Sequence, residues 1–373
     1  MRILHVTPFL WSGAGQVITS LCESQATEGH QVWITTSAPS GGQTDWPAYR
    51  RRLTNAGVSR VRIDTFDRSP ATYWNCVDRL VALVDQIRPD IVHSHAGVPA
   101  CATADARRRC AHRFGFVSHV YSWGENRPRW MNTMDTSGHA QGDVVICSAT
   151  AYVDILVRAG VPAKRIVMLP WGLAPSTLSR TRRDDNLSVP LGPRLGFVGR
   201  IEPRKGQLAL VRALALARRT HPNATLELVG PIADPGYAEQ IRREINRLHL
   251  KGVVRLAGRV RDVPAVLRRW DGFVSLSSDE GQGLAILEAM AAEVPVAARM
   301  VAGVEDYFLP GRNGVDIAST RPRDVAAAID ALTDRRRSRA RVQRALALTE
   351  SRYSWARTVA ALNRIYTRVR PRR

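Results

Sequence analysis

Two glutamates, Glu280 and Glu288, stand eight residues apart in the segment EGQGLAILE. Gly281 and Gly283 follow the first glutamate, and an apolar run surrounds the second. A glycine loop that opens a helix presents backbone N–H groups and the positive end of the helix dipole to an anion or to sugar hydroxyls. A carboxylate beside a phosphate site is unfavourable unless it binds something specific, and vicinal hydroxyls suit it. The pattern therefore indicates a site for a phosphorylated, hydroxyl-rich ligand.

The flanking sequence predicts the elements that hold these two carboxylates. The run DGFVSLSS before them is β-rich and short enough for a buried strand, and LAILEAMAAE after them has a helical pattern. We expect Glu288 about two turns into this helix, where it can face the same ligand as Glu280. The spacing alone also fits an exposed glutamate followed by a helix-stabilising one, so the interpretation depends on further motifs.

A second motif, LGFVGRIEPRKG, places Arg200 and Lys205 around a turn at the predicted carboxyl end of a strand. Ligands of open α/β sheets bind at such ends, and two cations there would neutralise a diphosphate. The chain has three lysines among 54 lysine and arginine residues, and Lys205 is one of them. The alternative is a solvated helix start in an arginine-rich protein.

Together these motifs resemble the signature of the retaining GT4 family, the glycosyl transferases of group 1, which have the GT-B fold. Further segments resemble the family in the same order along the chain: TLELVGP, VVRLAGRV and VPVAARMVAGVEDYFLPGRNGVDI. The resemblance implies an α/β protein with two Rossmann-like domains that face each other across a cleft. It also implies that the last of these segments forms a strand, a glycine turn and a helix.

The resemblance assigns roles to individual residues. Arg200 and Lys205 are expected to bind the phosphates of a nucleotide-sugar donor, Glu288 the ribose hydroxyls, and Glu280 the sugar hydroxyls. The expected catalytic residues are His119, Arg200, Lys205 and Glu280. The expected donor-binding residues are Gly13, Gly15, Gly199, Gly258, Arg259, Val260, Gly281, Gln282, Gly283, Leu284 and Glu288.

The N-terminal sequence predicts a βαβ unit whose first turn is Gly13-Ala14-Gly15. It lacks the G-x-G-x-x-G pattern and a well-placed acidic residue, which argues against NAD binding. In GT4 enzymes this turn lies near the donor diphosphate and the acceptor. The usual pair of glycines is here interrupted by an alanine.

Histidines end two predicted strands, DIVHSH at His93 and His95 and FGFVSH at His119. Such residues are often ordinary core or edge histidines. The resemblance implies that His119 hydrogen-bonds a hydroxyl of the donor sugar, and we expect His95 to line the acceptor side. His93 and His95 could ligate a metal, but no third ligand has zinc-like spacing. We therefore predict neither a metal site nor a cofactor.

The resemblance also divides the chain. Residues 1–173 are expected to form the acceptor-side domain, because PWGL resembles the turn that closes it. A polar segment with proline and glycine predicts a linker over 174–192, and residues 193–353 are expected to bind the nucleotide-sugar. An amphipathic helix over 354–370 is expected to pack back on the first domain.

The net charge of +21 raises the possibility of nucleic-acid or membrane binding. Residues 335–373 hold 13 basic residues and one acidic residue. Residues 1–172 hold 18 basic and 13 acidic residues, so their positive excess is much smaller. The charge thus lies mainly in a C-terminal arginine-rich stretch without a nucleic-acid-binding motif. A solvated face is favoured, and we predict no nucleic-acid partner; membrane association is not favoured.

Other features of composition agree with an enzyme of the cytoplasm. No apolar run approaches the roughly 18 to 20 residues of a membrane-spanning helix. The sequence opens as a strand without a signal-peptide pattern, so we expect a cytoplasmic protein. The five cysteines form no pattern of pairs, which predicts reduced thiols.

The expected reaction is metal-independent, retaining transfer of a hexose or N-acetylhexosamine from a nucleotide-sugar, with UDP favoured, to a hydroxyl of a glycan or small-molecule acceptor. Alternatives are a GDP-mannose-type donor, a lipid acceptor, or nucleic-acid binding through the basic stretch. An epimerase of the same fold is disfavoured because such epimerases lack the motifs of this sequence. A phosphorylase is disfavoured because phosphorylases of this fold usually have much longer chains.

Overall fold

The computed structural model describes residues 1–39, 46–65, 67, 69–121, 129–174, 192–260 and 262–371, without the side chain of Arg335. The chain forms two compact units. Unit 1 comprises Met1–Trp171 and Ala356–Arg373, and unit 2 comprises Gly172–Trp355. Nearly all of the predicted linker, residues 174–192, lies outside the described residues.

Unit 1 contains a parallel seven-stranded sheet in the order β3-β2-β1-β4-β5-β6-β7. Its strands are β1 (Arg2–Val6), β2 (Gln31–Thr36), β3 (Ser59–Arg62), β4 (Ile91–His95), β5 (Gly115–Val120), β6 (Val144–Cys147) and β7 (Ile166–Met168). Its helices are α1 (Ser12–Thr27), α2 (Pro47–Asn55), α3 (Pro70–Ile87), α4 (Gly97–Arg109), α5 (Arg129–Ala140) and α6 (Thr150–Arg158), and α13 (Trp355–Val369) joins them at the C-terminus.

The central strands of unit 1 carry its histidines. Every residue of β4 and of β5 is buried, as expected for parallel strands covered on both faces. In the strand register His5 lies opposite His93, and His95 lies opposite His119. Neighbouring residues in register point to the same face of a sheet, so the register places these histidines on one face. The strand order reverses between β1 and β4, the place where open α/β sheets bind ligands.

Unit 2 contains a second parallel sheet, with six strands in the order β10-β9-β8-β11-β12-β13. Its strands are β8 (Arg194–Val198), β9 (Thr225–Val229), β10 (Val254–Gly258), β11 (Gly272–Ser275), β12 (Val296–Ala298) and β13 (Val315–Asp316). Its helices are α7 (Gln207–Ala217), α8 (Pro235–Arg247), α9 (Val263–Leu267), α10 (Leu284–Ala291), α11 (Pro322–Thr333) and α12 (Arg335–Arg352). The predicted class, two parallel α/β units, is confirmed.

Local sequence fixes several helix starts in unit 2. Asp234 accepts a hydrogen bond from the backbone N–H of Tyr237 (2.9 Å), and Asp262 accepts one from Ala265 (2.9 Å), so both cap their helices. The helix expected after β12 is absent, and residues 302–307 form turns instead. Gly303, with a φ of 81°, has left-handed backbone within this run, which a helix cannot continue through.

The C-terminal helix α13 contacts several parts of unit 1. Asn363 donates to Glu28, directly after α1 (2.9 Å), and Arg370, directly after α13, pairs with Asp90 (2.9 Å). The hydroxyl of Tyr366 lies 2.7 Å from Nδ1 of His93. Among the described residues, no helix has the length and apolar character that crossing a membrane requires.

Candidate functional site

The strongest candidate site lies at the carboxyl ends of β8 and β11, which are neighbours where the strand order of unit 2 reverses. Lys205 is buried, and its Nζ lies 2.5 Å from Oε1 of Glu280. Arg200 pairs with Glu202 (3.0 Å). The structure thus brings together three of the predicted residues, Arg200, Lys205 and Glu280, in one group of charges.

Three more charged residues complete this group. Arg204 donates to the Asp279 carboxylate (2.8 Å) and backbone carbonyl (3.0 Å), and to Glu202 (3.2 Å). The backbone N–H of Ser278 in turn donates to the carbonyl of Arg204 (2.9 Å). These bonds tie the loop after β8 to the loop after β11. The β8–β11 cluster is defined here as Arg200, Glu202, Arg204, Lys205, Asp279 and Glu280.

Burial and charge act on the two arginines in opposite directions. Burial lowers the pKa of Arg200, and Glu202 opposes this effect only in part. Burial also acts against the charge of Arg204, but Glu202, Glu280 and Asp279 outweigh it and raise its pKa. Both guanidinium groups stay charged near neutral pH, because the ordinary arginine pKa exceeds 12. The three cations of the cluster are therefore available to an anionic ligand that displaces their carboxylate partners.

Glycine is required at the turn that joins Lys205 to α7. Gly206 has a φ of 72°, in the left-handed region, and a Cβ there would lie 2.7 Å from Cβ of Leu276. A larger residue would push the Lys205 loop away from the end of β11. Gly206 thus fixes the distance between the two loops of the cluster.

The glycine loop after Glu280 leads directly into α10, as the sequence predicts. Gly281 and Gln282 form the loop, Gly283 is the helix N-cap with a φ of 71°, and Leu284 is the first helical residue. The carbonyl of Gly283 accepts a hydrogen bond from the buried hydroxyl of Tyr307 (3.2 Å). This bond holds the helix start in place.

Glu288 is a buried carboxylate on α10. It is the fifth residue of the helix, so it lies just over one turn from the helix start rather than the two turns expected. The reason is that the loop extends through Gly283, whose left-handed backbone delays the helix. Its burial and its position after the glycine loop make this carboxylate a candidate ligand-binding group.

The predicted base-binding residues lie further along the same sheet. Gly258 is the last residue of β10, with Arg259 and Val260 directly after it. The carbonyl of Gly258 accepts a hydrogen bond from Gly230 (2.8 Å). These residues lie at the same edge of the sheet as the cluster, two strands away from β8. Gly199 follows β8 itself.

Gly13 and Gly15 do not form the turn that the sequence predicts. Helix α1 begins at Ser12, which places both glycines in its first turn. A Cβ on Gly15 would lie 2.7 Å from the backbone carbon of Leu10, so close packing against the preceding chain accounts for this glycine. The left-handed backbone of Ser12, with a φ of 54°, makes the turn instead.

His119 is fully buried in unit 1 and contacts two aromatic rings, which also stack on each other with their centroids 5.9 Å apart. Its ring stacks on Tyr121 and on Trp171, with centroid distances of 4.4 and 4.5 Å. Neither of its ring nitrogens has a hydrogen-bond partner among the described residues. Buried polar atoms are nearly always bonded, so these two nitrogens are candidates for hydrogen bonds to a ligand.

His95 differs from His119 because both of its nitrogens have partners. Its Nδ1 lies 2.8 Å from the hydroxyl of Tyr121, and its Nε2 lies 2.9 Å from Nδ1 of His5. His95 is 1% exposed. A direct contact with an acceptor, as expected from the sequence, would have to break one of these bonds.

Two family models match the chain, one in each half. The model described as Glycosyltransferase Family 4 matches residues 11–176, and the model described as Glycosyl transferases group 1 matches residues 180–347. The chain belongs to glycosyltransferase family 4. It is an enzyme of the GT4 family, and the sequence-based identification is confirmed.

Similar proteins agree with this assignment over the whole chain. A glycogen synthase from Mycobacterium tuberculosis is 27% identical, with 98% of this chain and 94% of the relative covered. A D-inositol 3-phosphate glycosyltransferase from Pseudarthrobacter chlorophenolicus is 26% identical, with 96% of this chain and 92% of the relative covered. The crystal structure of Anabaena HepE in complex with UDP and glucose has a TM-score of 0.84 at 20% identity, covering 99% of this chain and 100% of that one. The fold of this GT4 enzyme is therefore GT-B.

Sequence reasoning missed several residues that this GT4 enzyme places around its candidate sites. In unit 2 the run Arg200 to Lys205 (RIEPRK) holds Glu202 among three basic residues, which could have indicated the ion pairs. In unit 1 nothing short of the strand register could have placed His5 beside His93 and His95. The missed residues are His5, Gln25, Tyr121, Tyr366, Glu202, Arg204 and Asp279.

The buried histidines predict acid sensitivity of this GT4 enzyme. Burial lowers the pKa of His5 to about 4, and lowers those of His93, His95 and His119 well below the ordinary value. Below pH of about 6.5 the unfolded chain binds protons that the native chain does not, so the free energy of unfolding falls as pH decreases from there towards about 4. Each such histidine contributes a slope of about 1.4 kcal/mol per pH unit.

Urea unfolding in metal-free buffer between pH 7.5 and 5 measures this effect. The midpoint should stay nearly constant above pH of about 6.5 and fall steadily below it. A midpoint that is unchanged down to pH 5 would contradict the assignment of neutral buried histidines.

Proposed function

We propose that the protein is a retaining glycosyltransferase that transfers a hexose or N-acetylhexosamine from a UDP-sugar to a hydroxyl of a glycan or small-molecule acceptor. The observation that carries this proposal is the β8–β11 cluster beside the glycine loop of α10. Three cations, a helix N-terminus and the buried Glu288 are the groups that a nucleoside diphosphate with vicinal hydroxyls requires.

Each group has a proposed role in donor binding. Arg200 and Lys205 would bind the diphosphate with the backbone N–H groups that follow Glu280. Glu288 would accept hydrogen bonds from the ribose hydroxyls, and Gly258 to Val260 would contact the base. Glu280, released from Lys205 by the incoming phosphate, would then accept hydrogen bonds from the sugar ring hydroxyls.

Transfer itself separates charge at the bond between the sugar and the diphosphate. The anomeric C–O bond breaks, the electron pair leaves with the diphosphate, and the acceptor oxygen forms the new bond from the same face. The acceptor proton passes to the departing phosphate oxygen. Fixed cations are most effective where charge develops, so Arg200 and Lys205 would stabilise the leaving group in the transition state. His119 would hydrogen-bond a hydroxyl of the sugar.

The known proteins support the donor and acceptor classes. HepE is solved with UDP and glucose and with UDP-glucose, which favours a UDP-sugar donor over a GDP-sugar. The names of the glycogen synthase and the D-inositol 3-phosphate glycosyltransferase denote glycan and small-molecule chemistry, respectively. Arg336, Arg337 and Arg339 of α12 are exposed and are proposed to be part of a solvated face.

Isothermal titration with UDP, GDP and ADP, each without added metal, tests the donor assignment. Binding of UDP at least tenfold tighter than GDP or ADP supports the proposal. Preference for GDP would replace the UDP-sugar by a GDP-sugar, and no binding of any nucleotide would contradict a preformed diphosphate site. The anomeric configuration of the product, read by proton NMR, tests retention.

We further propose that transfer needs no metal ion at the diphosphate, because Arg200, Arg204 and Lys205 supply the positive charge there. Brief treatment with EDTA is therefore expected to change the rate by less than about twofold, since no bound ion at that position is required. Added Mg²⁺ should have an equally small effect. A transfer rate that falls strongly in EDTA and recovers with Mg²⁺ would contradict the proposal of metal-independent transfer.

A further inference from the structure

Three buried histidines meet at the centre of unit 1. His5 lies on β1, and His93 and His95 lie on the neighbouring strand β4. One ring nitrogen of each histidine lies within 4.8 Å of those of the other two, and all three side chains are at most 1% exposed. The histidine cluster is defined here as His5, His93 and His95. It lies in unit 1, whereas the β8–β11 cluster lies in unit 2.

Each ring of the histidine cluster has one nitrogen bonded to a side chain outside the cluster, called here the outer nitrogen. The other nitrogen of each ring, which has no such bond, is called here the inward nitrogen. These outer contacts are His5 Nε2 with Gln25 Oε1 (2.7 Å), His95 Nδ1 with the Tyr121 hydroxyl (2.8 Å) and His93 Nδ1 with the Tyr366 hydroxyl (2.7 Å). The remaining nitrogens are His5 Nδ1, His95 Nε2 and His93 Nε2.

The inward nitrogens are poorly satisfied by the protein alone. Nδ1 of His5 and Nε2 of His95 share one hydrogen bond of 2.9 Å. Nε2 of His93 is buried and has no hydrogen-bond partner among the described residues. A buried donor or acceptor left without a partner lowers the stability of the folded protein. A ligand shared by all three nitrogens would remove this cost.

The outer contacts are those that metal-binding histidines have in proteins. A histidine that ligates through one nitrogen almost always holds its other nitrogen in a hydrogen bond, which fixes the ring and its tautomer. Here Gln25, Tyr121 and Tyr366 fill that role for all three rings. Burial lowers the pKa of each ring, so protons do not compete for the inward nitrogens at neutral pH.

We propose that His5, His93 and His95 form a binding site for one divalent first-row transition-metal ion of the Zn²⁺ type. Three imidazole ligands suit Zn²⁺, Co²⁺ or Ni²⁺, whereas Mg²⁺ and Ca²⁺ require oxygen ligands. Three protein ligands leave one position of a tetrahedral ion for a small exogenous ligand. The sequence prediction of no metal site depended on the lack of a third ligand, and the strand register supplies it in His5.

The proposed coordination keeps every imidazole neutral. Each ring must carry its proton on the outer nitrogen, which donates to Gln25, Tyr121 or Tyr366. A proton held between His5 and His95, or on His93 Nε2, is relocated to the outer nitrogen of the same ring. The bound ion would link β1 to β4, and through the outer contacts it would link these strands to α1 and α13. It would therefore stabilise unit 1 rather than act on the donor.

Cobalt and zinc titrations of the chelator-treated, metal-free full-length protein test this proposal. We expect one Co²⁺ per chain, a visible absorption typical of tetrahedral cobalt, loss of that absorption when Zn²⁺ is added, and a higher Tm with Zn²⁺ than with Mg²⁺. The metal-to-protein ratio is measured by mass spectrometry after gel filtration. None of these readouts depends on transferase activity.

Variants separate the histidine cluster from other metal-binding groups. His93→Gln keeps an amide N–H that can donate to the Tyr366 hydroxyl and should lower metal affinity at least about 100-fold, as should His5→Gln. His139→Gln, a buried histidine of the same unit outside the cluster, should bind metal as the wild type does. Circular dichroism confirms that each variant is folded.

Two outcomes would overturn the proposal. Absence of stoichiometric binding in the metal-free wild type would mean that the cluster is a hydrogen-bonded core only. Equal binding by the wild type, His93→Gln and His5→Gln would place the ion elsewhere on the protein. UDP titration of the same samples reports on unit 2 independently, so failure of the metal site and failure of the donor site can be told apart.

Discussion

Replacement of Lys205 by alanine should weaken UDP binding by about 10- to 100-fold and lower kcat/KM by about 100- to 1000-fold. The first figure corresponds to the loss of one charge-assisted hydrogen bond to phosphate. The second is larger because the ammonium group acts most strongly on the charge that develops on the leaving diphosphate. Loss of Lys205 also removes the cation 2.5 Å from Glu280, which lowers the positive charge beside the proposed phosphate position.

The chain provides a matched control for this variant. Lys251 is a lysine of the same unit with an exposed side chain, so Lys251→Ala should leave UDP affinity, kcat and KM unchanged. Lys205→Met keeps most of the side-chain volume and should behave like Lys205→Ala if charge is the cause. Unchanged UDP affinity in both Lys205 variants, with the fold intact, would contradict the assignment of Lys205 to the donor phosphates.

The sequence predicts the local parts of this site because they are contiguous in the chain. The strand before Glu280, the glycine loop and the helix with Glu288 follow from a periodicity that changes within twenty residues. The helix start at Leu284 agrees with the predicted pattern, but the hydrogen bond from Tyr307 to the Gly283 carbonyl could not be predicted, because it depends on how the chain packs. The same limitation explains why α1 begins at Ser12 rather than after Gly15.

Contacts between distant segments were not predictable from the sequence. The pairing of Arg204 with Asp279 requires β8 and β11 to be neighbours, and strand order is set by the packing of the whole sheet. Likewise the meeting of His5 with His93 depends on the register between β1 and β4. A shift of one residue in that register would turn the histidines to opposite faces. The sequence shows which residues are available for chemistry, and the topology decides which of them meet.

Replacement of His119 by phenylalanine should lower kcat by about 100-fold without weakening UDP binding or lowering Tm. Phenylalanine keeps a flat ring in contact with both Tyr121 and Trp171, so the aromatic cluster persists. No hydrogen bond of the described structure is lost, because neither nitrogen of His119 has a partner there. Removal of a buried, unsatisfied polar group is neutral or stabilising. The proposed contacts of UDP come from unit 2, so its affinity should not change.

His139 provides the opposite pattern and serves as the control for this variant. It is buried in the same unit, and its Nδ1 lies 2.5 Å from the hydroxyl of Ser118. His139→Phe should therefore lower Tm, because it leaves that hydroxyl without its partner, and should leave kcat unchanged in the folded fraction. Full activity of His119→Phe, or a Tm loss as large as that of His139→Phe, would assign His119 to the core. Low kcat with an undiminished Tm would support the proposal that the donor sugar supplies the hydrogen-bond partner of the buried His119.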